Sequence, residues 1–83
     1  MDMRRYLESL IRSININQAE VVVVRSEKGE HQIPYRHLVY SLSLLKPKHQ
    51  VAVMDKFSHV ENDPQGITKL FKSYAQSLLK IKI

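Results

Sequence analysis

The most regular set of polar residues in this chain lies in its last quarter. Two glutamines and three lysines recur there at steps of four, three, four and four residues: Gln65, Lys69, Lys72, Gln76 and Lys80. Such steps place side chains on one face of an α-helix. Lysines on one helix face can follow a phosphate backbone, and glutamines can hydrogen-bond to phosphates or base edges. An ordinary solvated helix surface has the same composition, so that interpretation stays open.

A second basic cluster lies at the predicted break between two earlier helices, and Arg36 is expected near it. Together with the helix face, the cluster gives the residues predicted to bind nucleic acid: Arg36, Lys46, Lys48, His49, Lys69, Lys72 and Lys80. Few aromatic residues fall on polar faces, which disfavours stacking on single strands. We therefore expect DNA rather than RNA as the nucleic-acid partner.

The distribution of charge favours an anionic partner. The formal net charge is +5. Residues 1–34 contain five basic and five acidic side chains, whereas residues 35–83 contain eight basic and three acidic ones. The whole excess therefore lies in the second half, and no acidic residue follows Asp63. A one-sided excess of this kind suits nucleic acid or an acidic protein surface.

Residues suited to catalysis or metal binding are sparse. Cysteine is absent, which excludes disulfides, thiolate zinc sites and a cysteine nucleophile. The histidines lie at gaps of six, twelve and ten residues, which match no helical metal-binding pair: His31, His37, His49 and His59. The two glycines match no phosphate-binding loop. We therefore expect a protein that is not an enzyme and that has no catalytic residues, metal or cofactor.

The elements that must position the basic residues follow from hydrophobic periodicity and proline placement. Helices are predicted over residues 2–14, 34–45, 47–60 and 64–81. Asp2 is a candidate N-cap, and Asn15 a candidate stop residue. Pro34, Pro47 and Pro64 are each expected at the first position of a helix.

Residues 19–33 predict a β-hairpin, because the β-branched run Val21–Val24 favours extended backbone and Gly29 suits a turn. The predicted fold is therefore α+β, a single domain over residues 1–83 with the order αββααα. A strand at residues 50–54 in place of the third helix is the alternative, and it would give αββαβα.

The valine run supports a second hypothesis for function. An unbroken apolar strand is either buried on both faces or covered by a partner on one face. Val22 and Val24 are therefore a candidate protein interface, and an edge strand can pair with another chain. On this hypothesis the chain is a protein-binding adaptor or inhibitor, with a homodimer as one form.

Length and hydropathy favour a small regulatory protein in the cytoplasm. The chain has 83 residues and shows no apolar run near the roughly 20 residues that cross a bilayer. No apolar segment typical of a secretory signal follows the first charged residues. We therefore expect no membrane partner and a cytoplasmic location.

Overall fold

Residues 2–81 form four helices and one β-hairpin in the order αββααα, which confirms the predicted α+β fold. The computed structural model describes residues 2–81, with side chains for residues 2–79. The elements are α1 (Met3–Ser13), β1 (Val21–Ser26), β2 (Gly29–Pro34), α2 (Tyr35–Ser43), α3 (Pro47–Ser58) and α4 (Pro64–Ile81). Residues 50–54 belong to α3, so the alternative with a third strand is wrong.

Side chains and backbone at both ends of α1 explain its bounds. The Asp2 carboxylate accepts a hydrogen bond from the Arg4 backbone N–H at 3.0 Å, which confirms Asp2 as the N-cap. Asn15 ends the helix with a left-handed φ of 58°. The Ile16 N–H then donates to the Ile11 carbonyl at 3.2 Å, the long bond of a Schellman motif.

The hairpin pairs β1 with β2 in antiparallel register through a two-residue turn. Gly29 follows the turn at φ 121°, a conformation that side-chain-bearing residues rarely adopt. β2 begins at Gly29, which the sequence assigned to the turn, and runs through Pro34, which is the extended N-cap of α2 rather than its first helical residue. The cause is non-local, because the Tyr35 N–H donates to the Glu20 carbonyl at 2.9 Å and the Arg36 N–H to the Gln18 carbonyl at 3.1 Å.

The two faces of β1 differ in burial. Val22 and Val24 are only 6% and 1% exposed, whereas Val21 and Val23 are each 39% exposed. The inner face packs against α4, and β2 packs against α2. The predicted interface therefore needs a correction: the side chains of Val22 and Val24 belong to the core, and the accessible pair on this strand is Val21 and Val23.

Aromatic rings at the centre of the core connect three helices. Phe57 of α3 and Phe71 of α4 are fully buried, and their ring centroids lie 4.9 Å apart. Tyr35 of α2 contacts Phe71 edge-on at 5.3 Å. Ala75 is also fully buried. It is too small to stand out in the apolar periodicity from which α4 was predicted. The core therefore fixes one side of α4 and leaves its other side to solvent.

One glutamine stabilises the short turn between α2 and α3. The Gln50 side-chain amide donates to the carbonyl oxygens of Ser43 and Leu45, both at 2.9 Å. Ser43 is the last residue of α2 and Leu45 lies two residues beyond it, where backbone acceptors lack helical partners. Pro47 is the first residue of α3, as predicted, so the turn is defined from both sides.

Candidate nucleic-acid interface

The predicted basic face of α4 is exposed over its described length. Gln65, Lys69, Lys72 and Gln76 all face solvent, while Ile67 on the opposite side is fully buried. The face spans twelve residues, and their eleven steps extend about 16 Å along the helix axis. The Lys80 side chain, predicted to continue this face, lies outside the described residues.

The described ion pairs all lie in the first half of the chain. The salt bridges among the described side chains join Arg4 to Glu8, Arg5 to Asp2 and Arg25 to Glu30, at 3.8, 3.9 and 3.9 Å. All of these lie within residues 2–30. In the described part of the second half, the basic side chains have no carboxylate oxygen within 4.0 Å: Arg36, Lys46, Lys48, Lys56, Lys69 and Lys72. Their charge is therefore available to an external anion.

The second basic cluster surrounds the N-terminus of α3. Lys46 is the N-cap of this helix, and Lys48 and His49 are exposed in its first turn. The first turn contains no acidic residue, so the lysine charges add to the positive end of the helix dipole. Arg36 lies near the N-terminal end of α2, and seven further helical residues, or about 10 Å along the axis, separate it from the C-terminal end of that helix, after which the cluster begins. The structure thus places Arg36 at the opposite end of α2 from the cluster that it was expected to lie near.

The histidines have local roles or face solvent. His31 hydrogen-bonds to Ser26 through Nε2 at 2.9 Å across the hairpin, and His59 donates from Nδ1 to the Asp55 carbonyl at 2.7 Å. His37 is exposed on α2. Among the described residues, no three histidine or carboxylate side chains converge as metal ligands. No described helix is long and apolar enough to cross a membrane.

Glu61, one of the three acidic residues of the second half, lies against α1 rather than the lysines. It accepts a hydrogen bond from the Tyr6 hydroxyl at 2.7 Å. Burial, this hydrogen bond and the negative charge of Glu61 raise the pKa of Tyr6 from 10.0 to about 12. The contact also joins α1 to the segment between α3 and α4.

Tyr6→Phe is expected to flatten the alkaline stability profile. Unfolded Tyr6 ionises near pH 10 and folded Tyr6 near pH 12, so its stabilisation is complete below pH 10 and is lost between those values. The free energy of unfolding, measured with urea from about pH 9 to pH 12, should fall less steeply in the variant. Burial also raises the pKa of Tyr35 and Tyr74, and these groups supply the slope that remains. Identical slopes in both proteins would contradict the burial of Tyr6 together with its hydrogen bond to Glu61.

The sequence interpretation missed two features of the surface. Val21 and Val23 are exposed on the outer face of the hairpin, and four successive valines contain no alternation that would have marked them. Lys56 was also left out, although it lies seven residues after His49 and therefore on the same side of α3. The seven-residue spacing could have placed Lys56 beside His49 from the sequence alone.

Fold and surface together define a small α+β domain whose C-terminal helix presents a cationic face without counter-charges among the described residues. Comparisons with protein-family models, curated proteins and solved structures find no match for this chain. An assignment of function therefore depends on the physical chemistry of the surface.

Proposed function

We propose that this protein is a small, non-enzymatic regulatory protein that binds nucleic acid. The contact surface comprises the exposed face of α4 and the N-terminus of α3. One observation supports this above the others: the described ion pairs all lie within residues 2–30, while the basic side chains of the second half have no carboxylate partner.

The dimensions of the α4 face suit a phosphate backbone. Lys69 and Lys72 are three residues apart, or about 4.5 Å along the axis, and Gln65 and Gln76 flank them. Duplex DNA has about one negative charge per 1.7 Å of its axis, so a face of about 16 Å passes several phosphates. If about four phosphates are contacted, a fourfold increase in salt weakens binding about a hundredfold.

Burial of the opposite side of α4 holds this face in place. Ile67, Phe71 and Ala75 are fully buried, so the backbone beneath the lysines is fixed by the core. Tyr40 is the exposed aromatic side chain of the described residues, and it lies on α2 rather than α4. Stacking of unpaired bases therefore has little support, and duplex DNA is the favoured ligand.

Lys69→Glu/Lys72→Glu is expected to abolish binding of labelled duplex DNA in fluorescence-anisotropy titrations. Each lost phosphate contact lowers the salt slope by about 1, and the new carboxylates repel the backbone. The matched control is Arg5→Glu/Lys28→Glu, which also lowers the net charge from +5 to +1 but changes the first half. Titrations at about 50 and 200 mM salt, with single-stranded RNA alongside, give the slope and the preference.

The control decides whether position or total charge matters. We expect the control to bind DNA within about threefold of the unmodified protein, since phosphate contacts rather than net charge set the affinity. An equal loss of DNA affinity in both double variants would mean that net charge alone determines binding, which would contradict the α4 site. Failure of the unmodified protein to bind DNA or RNA at low salt would reject the proposal.

A second candidate function, a protein-binding adaptor or inhibitor that can form a homodimer, is favoured by the hairpin surface. Val21 and Val23 are half-exposed on its outer face. Within the described residues each strand pairs with one neighbour, so each has an edge available for another strand. The hairpin lies in the half of the chain with no net charge, where two copies repel each other least.

A further inference from the structure

We propose that a groove between α2, α3 and α4 binds an acidic amphipathic helix of a partner protein. The groove has a volume of ≈ 370 Å³ and is open to solvent. Its apolar lining includes Leu42, Leu45, Val53 and Leu78, and His49 and Lys56 are among its polar residues. The groove lies on the other side of α4 from Lys69 and Lys72, as the position of Leu78 on that helix shows, and it shares only His49 with the second basic cluster.

The chemistry of the lining selects for an anionic, amphipathic occupant. Among the described residues that line the groove none is a carboxylate, and Lys56 has no ion-pair partner. Tyr74 adds a phenol at the edge of the same groove, and burial raises the pKa of this hydroxyl, which keeps it a hydrogen-bond donor. Apolar side chains can fill the floor while carboxylates of the same segment meet Lys56 and Tyr74.

The opposite side of α3 has the reverse character. A cavity of ≈ 320 Å³ there is lined by Val51 and Met54 together with Asp55 and Glu61, and by no basic side chain among the described residues. Asp55 is the neighbour of Lys56 in sequence, but it belongs to this other side. An acidic segment is therefore expected to bind the groove between α2, α3 and α4, because Asp55 and Glu61 would repel it on the other side of α3.

The length of the groove fits a helix of two turns. His49 and Lys56 are seven residues apart, so they span about 10.5 Å along α3. Helices that bind in grooves use apolar residues at positions i, i+3 or i+4, and i+7, which span the same distance. A second copy of this chain is a poor occupant, because its net charge of +5 would oppose the positive charge beside the groove.

The volume also favours protein side chains over a small molecule. Sites for small molecules measure about 300–1,000 Å³ and bury most of the ligand. This groove lies at the lower end of that range and is open to solvent, so it would leave much of a small ligand exposed. An amphipathic helix buries only its apolar face and leaves its polar face in water. Leucine side chains on that apolar face can therefore occupy an open groove.

The test is a titration of isotope-labelled protein with synthetic peptides, followed by NMR. The acidic peptide has leucine at positions i, i+3, i+4 and i+7 with glutamate at the exposed positions, and a second peptide has lysine in place of each glutamate. We expect the acidic peptide to shift resonances of Leu45, Val53 and Leu78. The lysine peptide should bind at least about tenfold more weakly, because like charges meet at Lys56.

Two variants at adjacent positions locate the site. Ala52 lines the groove, whereas Val51 is 68% exposed and lines the cavity on the other side of α3. Ala52→Glu should weaken binding of the acidic peptide at least about tenfold, and Val51→Glu should change it less than about twofold. Both positions are exposed, so neither change should prevent folding.

Three results would overturn the proposal. The first is that no acidic peptide shifts the groove resonances at about millimolar concentration. The second is that Ala52→Glu and Val51→Glu weaken binding equally. The third is that the lysine peptide binds as well as the acidic one, which would mean that apolar contact alone drives association.

Discussion

Val24→Lys is expected to unfold the protein, whereas Val23→Lys leaves it folded. Val24 is 1% exposed and faces α4, while Val23 is 39% exposed on the outer face of the hairpin. A lysine buried without a partner costs several kcal/mol, because its charge loses solvation. The whole free energy of unfolding of an 83-residue domain is about 4–12 kcal/mol. At position 23 the new ammonium remains in water, so the change should stay within about 0.5 kcal/mol.

Urea unfolding followed by circular dichroism measures this difference, and light scattering on Val23→Lys tests the hairpin as an interface. A dimer that dissociates in Val23→Lys would support the second candidate function. A monomeric protein whose mass does not depend on Val23 would contradict the homodimer and remove the main support of that candidate. Equal stability of Val24→Lys and the unmodified protein would contradict the observed burial of the two strand faces.

The valine strand shows why local sequence did not identify the buried face. Alternation between apolar and polar residues marks the inner side of a strand, and Val21–Val24 contains none. The choice between Val22 with Val24 and Val21 with Val23 is made by the packing of α4 against β1. Because α4 begins about forty residues later, no window around the strand contains that information.

Helices were predictable to within a few residues because their determinants are local. The spacing of Ile67 and Phe71 and the proline at the start of α3 are both visible within one or two turns. The position of Pro34 was not predictable from local sequence, because contacts with a distant segment determine it, as they do for the valines. Hydrogen bonds from Tyr35 and Arg36 to the segment before β1 keep Pro34 extended, and those partners are distant in sequence.

The basic face of α4 is predictable from local sequence, whereas the groove is not. The face follows from periodicity alone, so the spacing of Lys69 and Lys72 is sufficient to place both on the exposed side of a helix. The groove lies where α2, α3 and α4 meet, and residues from all three helices line it, among them Leu42, Val53 and Leu78. Apolar residues such as Leu45 and Leu78 look like core positions in the sequence, and only packing shows that they are half-exposed.

Phe57→Ala is expected to lower the free energy of unfolding by about 3–5 kcal/mol. Phe57 is fully buried, and its ring lies 4.9 Å from that of Phe71 and 5.9 Å from that of Tyr74. Truncation removes both aromatic contacts and leaves a cavity between α3 and α4. Urea unfolding gives the loss, and Val51→Ala is the control because Val51 is on the same helix but exposed, so its cost should be below about 0.5 kcal/mol.

The size of the Phe57 effect also bears on the groove. If Phe57→Ala costs as much as expected but the variant still folds, α3 should lose its fixed distance from α4, and the acidic peptide should bind more weakly although Lys56 and Ala52 are unchanged. Binding of duplex DNA should fall less, because Lys69 and Lys72 lie on α4 itself. A loss below about 1 kcal/mol would mean that the neighbouring side chains close around the missing ring. The width of the groove would then not depend on Phe57, and the peptide affinity should remain that of the unmodified protein.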